Sequence, residues 1–142
     1  MLPFDAFVVV DMQPHFYKDN PEPLKLVNYI NRTIQRFKEE DKPIFVLEYS
    51  RCGRTDNRIK LPDSAIILEK FRDDGSEEID NYIGQKDMSL SHILLCGINR
   101  CFCVRSTVLG LEKFGYMITL GHTHCNARYC KGNGHVKIRS WR

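Results

Sequence analysis

The sequence has no apolar run approaching the length needed to cross a bilayer; its buried-looking stretches, such as Ala6–Val10 and Ile93–Cys96, are four or five residues long. It also lacks a basic segment ahead of Ala6–Val10, which is bracketed by Asp5 and Asp11. That run is therefore not read as a signal peptide, and the expected location is the cytoplasm. There the six cysteines, Cys52, Cys96, Cys101, Cys103, Cys125 and Cys130, are expected to be reduced. Charge of one sign is scarce too. With 21 basic and 18 acidic residues the net charge is +3, too small to argue for a nucleic-acid partner. The stretch from Lys131 to Arg142 has no acid at all and reads as solvated surface. Repeats, low-complexity segments and linker-like stretches are absent, so the 142 residues read as one domain with a single core.

What is present alternates between two periods. Phe7–Val10, Ile44–Leu47, Ala65–Leu68, Ile93–Cys96 and Tyr116–Leu120 are short apolar, largely β-branched runs suited to strands buried on both faces. Between them, Val27, Ile30, Ile34 and Phe37 recur at helical spacing after Pro21 and Pro23, and Pro43 blocks continuation. Ile79, Tyr82 and Ile83 mark a second helix over 77–85 with Ser76 as its cap. A third shows Cys103/Val104, Thr107/Val108, Leu111 and Phe114 on one face, with Gly115 ending it. Strands alternating with helices predict a three-layer, doubly wound α/β fold with a mostly parallel sheet of five to six strands. From about residue 121 the pattern is lost and an irregular basic tail follows, in which Val136, Ile138 and Ser140 suit one short edge strand.

The stretch from Ile93 to Phe114 organises the chain. Its strand stops at Gly97, Asn99 is a suitable N-cap, and Cys103 falls in the first turn of the helix, at the carboxyl edge where parallel sheets bind ligands. Free amide protons and the positive helix end there favour a thiolate. Asp11, directly after the first strand, either caps a turn or does chemistry. Lys70 follows the third strand. Three strand ends thus carry a thiol, a carboxylate and an ammonium: a nucleophile, a base to take its proton, and a cation to stabilise developing negative charge.

Two segments sharpen this. Val8–Gln13 with Phe16 resembles the opening motif of the isochorismatase-like cysteine hydrolases, the superfamily of nicotinamidases and N-carbamoylsarcosine amidase. Gly97–Val104, with Thr107 and Gly115-Tyr116, resembles that family's nucleophile motif, and Lys70 falls where the family places its lysine. The resemblance covers roughly Ala6 to Leu120. It implies that 1–142 is an isochorismatase-like hydrolase domain, often oligomeric, with Asp11, Lys70 and Cys103 as a catalytic triad. It further implies a cis peptide between Ile98 and Asn99, backbone amides of Asn99 and Cys103 at the oxyanion, and a small amide or carbamoyl substrate cleaved through a thioester. Gln13, Phe16 and Arg51 are candidates to contact substrate, Arg51 by pairing with a carboxylate. No cofactor, membrane or nucleic-acid partner is expected.

The chain also departs from the family. The Asp-x-His metal motif that nicotinamidases carry after the second strand reads Tyr49-Ser50-Arg51 here, so no metal of that kind is expected. Arg100 stands where the family has a small hydroxyl residue. His122, His124, Cys125, Cys130 and His135 have zinc-ligand chemistry but no established spacing. Cys101 and Cys103 are too close in sequence for an unstrained bridge; Cys101 reads as a small helix-start residue and Cys96 as core.

Overall fold

A computed structural model describes residues 1–18, 20 and 23–125. Five strands, β1 (Ala6–Val10), β2 (Ile44–Tyr49), β3 (Ile66–Lys70), β4 (His92–Ile98) and β5 (Met117–His124), form one sheet in the order β3-β2-β1-β4-β5. Every pairing is parallel. Helices α1 (Pro23–Glu39), α2 (Ser76–Gln85) and α3 (Arg105–Lys113) supply three of the four crossovers, and a loop joins β2 to β3. Alternation within the buried strands decides the two faces. Phe7 and Val9 of β1, with Leu94, Cys96 and Ile98 of β4, pack with Val27, Ile30, Ile34 and Phe37 of α1. Val8, Val10, Phe45, Leu47 and Leu95 point the other way, against Ile79 and Ile83 of α2 and Val108 and Leu111 of α3.

The expected elements form, with corrections at their ends. β3 runs on to Lys70, placing the lysine on the strand rather than after it. α2 begins at Ser76, whose N–H is capped by the Asp74 carboxylate at 2.8 Å; Ser76 is not itself the cap. Phe114 lies past the end of α3 and is exposed instead of joining the buried face. β5 extends to His124, so the segment from 121 begins as strand; the suggested strand at Val136–Ser140 lies outside the described residues.

Gly97 does not break its strand. β4 continues through it to Ile98, and the residue is required by crowding: with φ of 147°, a β-carbon there would collide with the Val10 carbonyl oxygen. The close approach draws β4 against the end of β1, where the chain's chemistry is gathered.

A candidate active site at the sheet's switch point

The chain leaves β1 toward β2 and β3, then crosses to the other side of β1 for β4. The reversal opens a crevice outside the carboxyl ends of β1 and β4, the place where open α/β sheets bind ligands. Asp11 ends β1 on one side of it. Its φ is +54°, a conformation uncommon for a residue with a side chain, fixed by its N–H donating to Leu47 O and its carbonyl accepting from Gln13 N–H at 2.7 Å. Backbone held in that region by its surroundings is characteristic of functional positions.

On the other side, β4 passes through Asn99, also left-handed (φ 67°, ψ 56°), into a π-helical turn over Arg100–Val104 that precedes α3. Such turns recur at functional sites because they re-aim one side chain. Here the side chain is Cys103, 3% exposed and packed on the face shared with Val10 and Val104. Asn99 is not an N-cap through its side chain; its carbonyl accepts from Phe102 and Val104 N–H at 3.0 and 3.1 Å.

Lys70 comes from β3, two strands from β1 or about 10 Å at ordinary strand spacing. Its stem bridges that gap across the end of β2, where Tyr49 is its register partner, and its Nζ lies 4.1 Å from the centre of the Tyr49 ring. Beyond the ring it meets Asp11 Oδ2 at 3.1 Å and donates to the carbonyls of Arg72 and Asp73, also at 3.1 Å. Asp11 and Lys70 are both 0% exposed. The structure therefore brings together the three residues singled out by their strand-end positions.

Electrostatics corrects one expectation. Burial pushes the Asp11 carboxyl above its ordinary value, opposed first by the Lys70 charge and then by contact with the Cys103 thiol. Cys103 is not held as a thiolate. Burial first and the Asp11 charge second push its thiol well up, and Lys70 opposes them only in part. These surroundings favour the proton staying on the sulfur, beside the buried Asp11–Lys70 contact.

Other expected contributors divide. Gln13 is fully buried and committed: its amide nitrogen donates to Tyr49 O (3.0 Å) and Gly53 O (2.7 Å), and its Oε1 accepts from Tyr49 N–H (2.8 Å). It fastens the end of β1 to the loop after β2, with both amide N–H hydrogens committed. Phe16, from a 3₁₀ turn over Pro14–Phe16, stands edge-on to Tyr49 with ring centres 6.3 Å apart. Arg51 is exposed in a left-handed turn (φ 64°). The Ile98–Asn99 peptide is trans, and the Asn99 N–H donates to His124 O at 3.0 Å, so this amide is engaged in joining β4 to β5. Cys101 is disulfide-bonded, contrary to six reduced cysteines, and Cys103 is free, so the two do not bridge each other.

Sequence reasoning missed Asp73 and Tyr49. The Cys103 thiol donates to Asp73 Oδ1 at 3.6 Å. Asp73 is placed there by Thr107 on α3, buried, whose hydroxyl accepts from Gly75 N–H (3.0 Å) and donates to Asp73 O (3.4 Å). The run Asp73-Asp74-Gly75, three residues after Lys70, was the available signal. Tyr49 was noticed only as a departure from a metal motif; its ring is a wall of the site. Of the five-residue histidine and cysteine set, His122 and His124 lie on β5, Cys125 follows it directly, Cys130 and His135 lie outside the described residues, and no metal-competent group of three forms among the described residues.

Sheet order, crevice and buried cluster define a doubly wound parallel α/β protein with its site at the switch point. No protein-family model and no curated protein matches the chain. Solved structures do. N-carbamoylsarcosine amidase from Thermoplasma acidophilum superposes with a TM-score of 0.73 at 18% identity, covering 89% of this chain and 98% of that one. The pyrazinamidase of Pyrococcus horikoshii, solved in complex with zinc, gives 0.68 at 24% identity, covering 84% of each chain. A Leishmania major protein assigned to the MAR1 ribonucleases gives 0.72 at 24% identity; the alignment covers 82% of this chain but 61% of that one. The chain has the isochorismatase-like fold.

Proposed function

We propose that this protein is a cysteine hydrolase that cleaves a C–N bond of a small amide or carbamoyl substrate through a Cys103 thioester. The observation that carries the reading is the convergence of Cys103, Asp11 and Lys70 from three separate elements into one buried cluster. Similarity of fold to amidases adds support. A carboxyl with a raised pKa is a competent base for a thiol, because the proton's affinity for the two groups is brought closer. The Cys103 sulfur attacks the substrate's carbonyl carbon as Asp11 takes the thiol proton. Lys70 and the Cys103 N–H stabilise the oxyanion. Asp11 then returns the proton to the leaving nitrogen as the C–N bond breaks. Water, deprotonated by Asp11, attacks the thioester; the acid departs and the thiol regains its proton. No step in this sequence requires a metal.

The test is steady-state and single-turnover hydrolysis of a panel of small amides, carbamoyl compounds and nicotinamide, comparing wild type with Cys103→Ala. Turnover that disappears in a folded Cys103→Ala variant is expected, with a covalent acyl adduct on Cys103 seen by mass spectrometry. Turnover surviving the substitution would remove Cys103 as nucleophile. Inactivity across the panel, with Cys103 no more easily acylated than Cys52, would favour a non-catalytic binding or assembly module on the same fold.

A further inference from the structure

A second concavity lies on the α1 side of the sheet, at the carboxyl ends of β4 and β5. It has a volume of about 300 Å³ and is lined by Lys25, Leu26, Arg100, His122, Thr123 and His124. None of these belongs to the Asp11–Lys70–Cys103 cluster. Two carry a permanent positive charge, two are histidines, and none of the described lining residues is a carboxylate.

The walls are built rather than incidental. Arg100 is clamped at one edge of its guanidinium: Nε donates to Thr123 Oγ1 at 2.7 Å and Nη2 to Thr123 O at 3.1 Å. That leaves the remaining guanidinium hydrogens for another acceptor. The His122 ring lies flat on Tyr29, centres 4.0 Å apart and planes 7° from parallel, which fixes the adjacent wall. Among the described residues, the buried His124 Nε2 has no hydrogen-bond partner. A buried polar nitrogen is seldom left so, and at the edge of a polar cavity it marks the place of a missing partner. Arg100, which departs from the resembling family's small hydroxyl, is thus employed away from the cysteine three residues later.

We propose that this pocket binds the anionic group, carboxylate or phosphate, of a small molecule. Arg100 provides a charge-assisted fork, Lys25 a second charge at the first turn of α1, and His124 Nε2 a further donor when it carries the proton. The volume is at the lower end of the range that holds small ligands.

Calorimetric titration of the full chain with inorganic phosphate, and separately with acetate, at constant ionic strength made up with chloride, tests this. Saturable binding of at least one anion is expected, weakened about tenfold or more by Arg100→Gln, as befits loss of a charge-assisted pair. Lys25→Gln should weaken it as well, and Cys103→Ala should leave it unchanged. Phosphate binding alone would name a phosphoryl ligand; acetate binding alone would name a carboxylate. If Arg100→Gln fails to fold, Lys25→Gln and His124→Gln give the answer. No saturation by either anion, or binding indifferent to the pocket variants, would overturn the proposal. Because amide hydrolysis does not enter the readout, its failure is separable from failure of the hydrolase reading.

Discussion

Replacing Lys70 by Met tests the physical core of the site. The substitution keeps much of the stem's volume but removes the cation 3.1 Å from Asp11 Oδ2, inside a cluster where both residues are fully buried. Breaking such a pair ordinarily costs about 3–5 kcal/mol, because a buried carboxylate is left alone. Asp11 has an escape: it can take up a proton in the folded state. Relative to an ordinary carboxyl of pKa 3.8, doing so at pH 7 costs about 4 kcal/mol, and at pH 5 under about 2. The penalty should therefore be about 3–4 kcal/mol at pH 7 and shrink by about half or more at pH 5. The sign follows from proton counts. Above pH 3.8 the folded variant holds a proton that the unfolded chain has released, so stability falls as pH rises until the folded carboxyl itself ionises. Urea denaturation followed by circular dichroism at both pH values measures this. The double variant Asp11→Asn, Lys70→Met should recover stability at pH 7 and lose the pH dependence. A loss below about 1 kcal/mol at pH 7, no relief at pH 5, or a double variant no better than the single would refute a buried, mutually dependent ion pair.

Two more outcomes follow from the same geometry. Because burial and then the Asp11 charge hold the Cys103 thiol up, Asp11→Asn should increase its alkylation by iodoacetamide at mildly alkaline pH while abolishing amide turnover; a parallel fall in both would mean that Asp11 does not raise the thiol. Gln13→Leu should cost about 1–3 kcal/mol, since it strands Tyr49 N–H and the carbonyls of Tyr49 and Gly53, and it should loosen Tyr49 against Lys70. Thermal melts and the fluorescence or NMR signature of Tyr49 would show it; an unchanged melting temperature would mean that water replaces the amide.

The sequence by itself determined the succession of strands and helices, because buried parallel strands must be apolar on both faces and crossover helices on one, and these periods are visible in Phe7–Val10, Ile93–Cys96 and the Val27–Phe37 stripe. It also marked Asp11, Lys70 and Cys103 as strand-end chemistry. Which strands neighbour one another is a long-range matter, and only the sheet order brings Lys70 across β2 to Asp11. Ionisation states were likewise out of reach. The position of Cys103 near a helix start suggested a thiolate, but desolvation and the Asp11 charge outweigh that local effect. Gln13 and Asn99 looked free for substrate because their partners, the Tyr49 and Gly53 backbone and the His124 carbonyl, lie 25 or more positions away. Local pattern reports the faces of an element; what a polar group at its end is already bonded to depends on contacts that exist only once the sheet has assembled.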